Sequence, residues 1–251
     1  MTLKVRLIPT VLYRSFGLVK SIQFASWRHV GSPVQTVQVY NLRDVDELVF
    51  LDIAARDRNE SPDFDLIDDL ADFCQMPLTV GGGIRGLTDI HRLFEVGADR
   101  IVLNSTAFEN PSLVESAAAR FGSQAIVVSI DARRTRLSHQ VFTHGGREAT
   151  GLDAVAAARQ VENSGAGEIL LTSIDQDGTF TGFDLDLIAS VTAETTIPVV
   201  ASGGAGTYDH LYQALKAGAS AVAAASIFHF TEQTPTGARA FLSDRGIQVR
   251  R

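Results

Sequence analysis

Short apolar runs recur along the chain, with amphipathic stretches between them. The runs span residues 5–11, 47–52, 78–80, 100–103, 125–130, 168–172, 198–201 and 221–224. They do not alternate strictly between apolar and polar. That pattern suits strands covered on both faces, as in a parallel sheet. The stretches at 66–73, 88–95, 152–163 and 208–216 carry apolar residues at helical spacing. Eight such strand–helix alternations within 251 residues predict one α/β domain, a closed (βα)8 TIM barrel. A doubly wound open sheet is the alternative. The longest stretches without a predicted element, 12–32 and 133–151, follow strands 1 and 5. They lie on the face where such barrels carry function.

The chain also repeats itself at an offset of 121 residues. Glu47-Leu-Val-Phe-Leu-Asp52 aligns with Glu168-Ile-Leu-Leu-Thr-Ser173, and Val80-Gly-Gly-Gly-Ile-Arg85 with Ala201-Ser-Gly-Gly-Ala-Gly206. A third match pairs the segment from Gly97 to Ser105 with that from Gly218 to Ser226. Three matches at one offset indicate a duplicated half-barrel of four βα units. Each position then has a partner in the other half.

Composition narrows the chemistry. Hydrophobic residues make up 45% of the chain, enough for a large core, and the net charge is −7. An acidic chain is poorly suited to nucleic acid or to an anionic membrane surface. Cys74 is the single cysteine, so there is no intrachain disulfide; it reads as a small buried hydrophobe in an apolar helical stretch. No metal-ligand spacing and no cofactor motif is present. No apolar run approaches the ~20 residues of a membrane span. Residues 1–8 alternate charged and apolar side chains, unlike a signal peptide, so a soluble cytoplasmic protein is expected.

A local anion site is compatible with that charge. Gly82-Gly83 and Gly203-Gly204 each end a strand ahead of a helix, where backbone amides can cradle a phosphate. Asn104-Ser105 and Ala225-Ser226 follow strands 4 and 8, one βα unit later. Tight turns alone would also call for glycine. Four loops in two repeat-related pairs instead suggest two anion sites across one mouth, suited to a ligand with a phosphate at each end.

Several segments closely resemble the cyclase subunit of imidazole glycerol phosphate synthase. They are Leu51-Asp52-Ile-Ala-Ala55, the run from Pro77 to Arg85, the run from Phe121 to Asp131, Thr143-His-Gly-Gly-Arg147, Glu168 to Ser173, Asp177-Gly178 and Ser202 to Gly206. The resemblance covers essentially the whole chain. It implies a barrel that takes ammonia from a glutaminase subunit docked on its bottom face. It also implies two aspartates, at the ends of strands 1 and 5, acting on a ribulosyl ribonucleotide with a phosphate at each end. Asp131 matches the strand-5 aspartate and Lys20 a lysine of the mobile active-site loop. Asp52, Thr172 and Ser173 match positions lining the mouth, and Asp177-Gly178 joins the phosphate loops. His229 reads as structural.

Arg6, Glu47, Arg100 and Glu168 lie at strand starts, where barrels normally pack branched apolar side chains. In the resembling family a charged ring of this kind gates ammonia entry; Arg100 stands where a lysine is usual. Asp99 beside it falls at the expected partner interface. On the residues alone, a surface ion-pair cluster at the barrel foot is the preferred explanation, since strand ends are wet.

The resemblance breaks at the end of strand 1. The family motif there reads Pro-Cys-Leu-Asp-Val-Lys, and this chain reads Pro9-Thr-Val-Leu-Tyr-Arg14. Leu12 holds the aspartate's position and is the half-barrel partner of Asp131. Leucine cannot carry a proton. The change is similar to that in cyclase-like subunits that accompany an amidotransferase in acetamidino modification of bacterial surface sugars. This implies a divergent paralogue supplying ammonia, with a sugar amidotransferase as a further partner. The histidine-pathway cyclase, the sister isomerase barrel and a non-catalytic ammonia conduit are the alternatives.

Overall fold

The computed structural model describes residues 4–136 and 138–250. The chain opens with β1 (Arg6–Arg14), β2 (Gly17–Ile22), β3 (Ala25–Gly31) and α1 (Pro33–Leu42). Then follow β4 (Leu48–Asp52), α2 (Phe64–Phe73), β5 (Leu78–Gly81), α3 (Leu87–Glu95), β6 (Arg100–Leu103), α4 (Ser105–Glu109) and α5 (Pro111–Phe121). The second half runs β7 (Ile126–Arg134), β8 (His139–Thr143), β9 (Glu148–Asp153), α6 (Ala154–Asn163), β10 (Glu168–Ser173) and α7 (Leu185–Thr192). It ends with β11 (Val199–Ser202), α8 (Tyr208–Lys216), β12 (Ala221–Ala224), α9 (Ser226–Phe230) and α10 (Pro235–Asp244).

Eight strands, β1, β4, β5, β6, β7, β10, β11 and β12, pair in parallel, and a β10–β7 ladder closes the ring. This is the (βα)8 barrel that the strand–helix alternation predicts. Inward side chains of alternate residues form a narrow apolar plug of Ile8, Val49, Val102, Val127, Leu170, Val200, Ala221 and Ala223. The outward side chains of the same strands join the helices in a larger outer core. Both faces are buried, which is why the runs show no alternation in sequence. Side-chain caps fix the helix starts: Asp63 accepts from the Leu66 amide, Asp184 from Leu187 and Thr207 from His210.

The two stretches expected to be irregular are not. β1 and β7 run past the barrel rim and fold back as antiparallel ribbons, β1–β2–β3 and β7–β8–β9. These segments lack a clean apolar run, because β2 buries the polar Lys20 and Ser21 while β3 is largely exposed. Cys74 is also corrected. It caps the end of α2, is only half-buried, and its thiol donates to the Met76 carbonyl. Among the described residues, no helix is long and apolar enough to cross a membrane.

Candidate functional site

At the strand N-termini the four charged residues close on each other inside the barrel. Arg6 donates to Glu47 at 2.6 Å and to Glu168 at 2.5 Å. Arg100 reaches Glu168 at 2.9 Å and Glu47 at 3.3 Å, and Thr79 adds a hydroxyl to Glu47 at 2.6 Å. Each arginine bridges both carboxylates, so the four form a closed ring. Glu47 and Glu168 are only 4% exposed, which excludes a surface cluster. Burial pulls the Arg6 guanidinium down, yet the charges of Glu168 and Glu47 together hold it above its ordinary value. Asp99 lies exposed beside the ring and accepts the Leu78 amide.

At the opposite end a cavity of about 740 Å³ opens among the strand C-termini. The glycine loops line it, but their helices begin further on, at Leu87 and Tyr208. The helices that start at the cavity are the short α4 and α9, opening with Ser105 and Ser226 and preceded by Asn104 and Ala225. Gly82 and Gly204 have φ of +107° and +105°. A Cβ on Gly82 would lie 2.1 Å from the Asp52 carbonyl oxygen, and one on Gly204 2.0 Å from that of Gly182. The turns thus require glycine sterically. Gly83 and Gly203 also have positive φ and line the cavity.

Asp131 projects into this cavity from β7. Ser129, two residues earlier on the same strand face, donates to one carboxylate oxygen at 3.1 Å. Asn104 donates to the other at 3.0 Å. Burial pushes the Asp131 carboxyl up to about 7; the two hydrogen bonds oppose that rise and the charge of Asp177 adds to it. A carboxyl poised near neutrality is suited to proton transfer.

Strand registers identify the matching position in the first half. Leu7 pairs with Val222 and Ile126 with Ile101, and those two partners are repeat equivalents. On the other flank Leu12 pairs with Leu51 and Asp131 with Thr172, again equivalents. Both flanks make Leu12 the counterpart of Asp131, and Thr10 that of Ser129. Three strands lie between β1 and β7 either way round, so the two walls face each other across the mouth. Among the described residues, the buried Thr10 hydroxyl has no hydrogen-bond partner.

Three expected residues have other attachments. Lys20 lies on β2, buried, with its ammonium 2.7 Å from Asp177. Asp177 also accepts from Ser21 at 3.5 Å, and its carbonyl takes the Gln23 amide. Gly178 packs against the same ribbon, since a Cβ there would lie 2.3 Å from the Ser21 carbonyl oxygen. The β2–β3 ribbon is thereby strapped over the mouth onto the loop after β10. Asp52 accepts the Ala54 and Ala55 amides and an Arg58 guanidinium, so its carboxylate holds the loop after β4. Thr172 lines the cavity, but Ser173 does not: strand alternation turns it outward, where it pairs in register with Ala132. His229 packs edge-on to Tyr40, and burial lowers its pKa to about 4, as a structural histidine.

Sequence reasoning passed over Ser129, Thr10, Arg56 and His144. The first two carried a signal, since each stands two residues before Asp131 or its counterpart on the same strand face. Arg56 binds Glu109, which also meets His144 at 3.4 Å, and this group walls the cavity beside Ser105. Its members are far apart in sequence and left no signal. Among the described residues, no group of three or more His, Cys, Asp or Glu is arranged to hold a metal ion. The family described as "Histidine biosynthesis protein" matches residues 7–234 of the chain.

Proposed function

The chain belongs to the histidine biosynthesis protein family, and from that premise we propose that it is a cyclase-type barrel subunit that receives ammonia from a glutaminase. The observation that carries this reading is the closed Arg6–Glu47–Arg100–Glu168 ring. Burying four charges where apolar side chains would pack is costly, and stability alone does not favour it. A ring that parts and recloses can admit a small neutral molecule while excluding water and ions. Above it the uncharged apolar plug that includes Val49, Val102, Val127 and Val200 lies between the ring and the cavity that holds Asp131. The glutaminase docks on the bottom face, around Asp99 and the ring.

At the mouth, the amides opening α4 and α9 and the glycine loops take an anionic or phosphorylated small molecule. Leu12 sets this chain apart from an imidazole-forming cyclase, because one of two acid–base groups is absent. We favour a divergent paralogue that delivers ammonia for amidine formation on a surface-polysaccharide sugar, with an amidotransferase taking the ammonia. The histidine-pathway cyclase is the second reading, favoured by Asp131 and the cavity-lining Lys20. The sister isomerase needs acid–base groups in both halves, and Leu12 weighs against it.

The test is co-expression with a glutaminase subunit from the same genome. A co-purifying complex with glutamine-dependent ammonia delivery is expected, and Arg100→Glu should weaken delivery without abolishing the use of added ammonium. Absence of a complex, or unchanged glutamine-dependent activity in Arg100→Glu, overturns the reading.

A further inference from the structure

The charges of this chain are segregated. Asp and Glu number 29, yet none precedes Asp44, whereas Lys4, Arg6, Arg14, Lys20, Arg28 and Arg43 all do. Arg6 belongs to the ring and Lys20 to the Asp177 strap, so carboxylates neutralise both. Arg14 and Arg28 are exposed, and among the described residues neither pairs with a carboxylate. They lie instead over the rings of Trp27 and Phe230. Both project from the β1–β2–β3 ribbon at the rim of the mouth.

The same ribbon bares large apolar side chains. Phe16, in the β1–β2 turn, is 95% exposed, and Ile22 and Trp27 are exposed as well. Every residue of β3 except Val30 is exposed, and among the described residues β3 pairs with β2 alone. Bare aromatic side chains beside unpaired arginines have the composition of an interface centre. A ligand in the cavity does not account for them, because Phe16, Ile22, Arg28 and His29 lie outside the cavity lining. The ribbon is also held in place. Besides the buried Lys20–Asp177 pair, the Gln23 amide donates to the Asp177 carbonyl and the Gln23 side chain to that of Asp175. Docking onto a fixed ribbon costs little ordering entropy.

Charge selects the occupant. A symmetric contact with a second copy would set Arg14, Arg28 and His29 against their own equivalents. The register shifts between β2 and β3 bulge the free edge and oppose strand-to-strand pairing. An acidic protein surface complements the arginines and covers the apolar side chains. Chemistry says which protein. Ammonia released into neutral water is protonated and ceases to be a nucleophile, so a receiver has to cover the rim.

We propose that the outer face of the β1–β2–β3 ribbon, centred on Phe16, Ile22, Trp27, Arg14 and Arg28, docks an acidic face of the enzyme that consumes the ammonia. This rests on the reading of the chain as an ammonia-delivering barrel, and it adds the surface by which the ammonia is handed on.

The probe is the sugar amidotransferase from the same genome, titrated into the barrel–glutaminase complex. Trp27 is the single tryptophan of the chain. Incorporated into the barrel alone, 5-fluorotryptophan therefore gives one fluorine resonance that reports on the ribbon. That resonance should shift as the amidotransferase binds, and raised salt should weaken the complex. Phe16→Ser combined with Arg28→Glu should weaken it about tenfold or more, the scale of a lost interface anchor. The same variant should leave glutaminase binding and glutamine-dependent ammonia release unchanged, because both changes are exposed and lie at the other end of the barrel. Binding that is unaffected by the variant, or that leaves the Trp27 resonance unmoved, overturns the surface. So does self-association through these residues, or binding to phosphatidylserine vesicles in place of the protein. An amidotransferase that ignores a complex still releasing ammonia also overturns it, and leaves the ammonia reading standing. Failure to form any glutaminase complex removes the underlying reading as well.

Discussion

Leu12 and Asp131 occupy equivalent positions on opposite strands of the barrel, one apolar and one a carboxyl poised near neutrality. Losing a positioned general acid or base commonly costs ~10²–10⁴-fold in rate. Supplied with ammonium and the ribulosyl ribonucleotide, the wild-type protein is expected to make little or no imidazole glycerol phosphate. Leu12→Asp should raise that rate measurably, because the new carboxylate would stand beside Thr10 as Asp131 stands beside Ser129. Wild-type turnover at a rate unaffected by Leu12→Asp would refute this account.

Asp131 also sets a pH dependence. Its folded pKa of about 7 lies above the ordinary 3.8, so between about pH 4 and 7 the native state holds a proton that the unfolded chain has released. The contribution of this group to stability therefore falls as pH rises through that window, and the penalty is complete above about 7. Asp131→Asn should be more stable than wild type at pH 8 and should lose this component of the pH slope. Asp184 runs the other way. Burial raises its pKa, but hydrogen bonds from His139, Leu187 and Arg134 bring it down to about 2. Its stabilisation is lost as pH falls from about 4 through 2. Urea melts from pH 2 to 8 on wild type and Asp131→Asn would separate the two effects.

The ring at the barrel foot should respond unequally to single and double changes. Arg100→Met leaves Glu47 and Glu168 sharing Arg6 alone, with buried carboxylates undercompensated. Breaking a buried pair in this way typically costs ~3–5 kcal/mol. Arg100→Met combined with Glu168→Leu should recover much of that loss, because apolar packing replaces the charge. Denaturant midpoints would read the stabilities, and the double variant should still uncouple glutamine use from ammonia delivery.

Thr10→Val makes a prediction independent of any ligand. The hydroxyl it removes is buried without a partner among the described residues, and valine suits a strand. Stability of the unliganded protein should rise by about 1 kcal/mol. A thermal melt showing destabilisation of similar size would mean that the hydroxyl has a partner in solution.

Anion binding at the mouth is open to direct observation. Crystals soaked in phosphate are expected to show density at the Ser105 or the Ser226 loop. Gly204→Ala should abolish the second site, since its Cβ would collide with the Gly182 carbonyl and force the loop apart. Empty loops at high phosphate concentration would count against both sites.

The strand–helix alternation, the duplicated half-barrel, the replacement of an aspartate by Leu12 and the membership of the charged ring were all legible along the chain. The first two are local patterns or comparisons of one segment with another, so one dimension suffices; the replaced aspartate and the ring's membership came from the resemblance to the cyclase family. The attachments were not. Lys20 meets Asp177 across 157 positions of sequence, and Arg6 meets Glu168 across 162. Such pairs form only because barrel closure brings distant strands side by side. The same holds for the two ribbons above the rim, which no periodicity announces because their partners lie off the barrel. Sequence therefore fixed which side chains were available at each strand end. Closure decided which of them share a wall, which satisfy each other, and that the Thr10 hydroxyl is buried without a partner among the described residues.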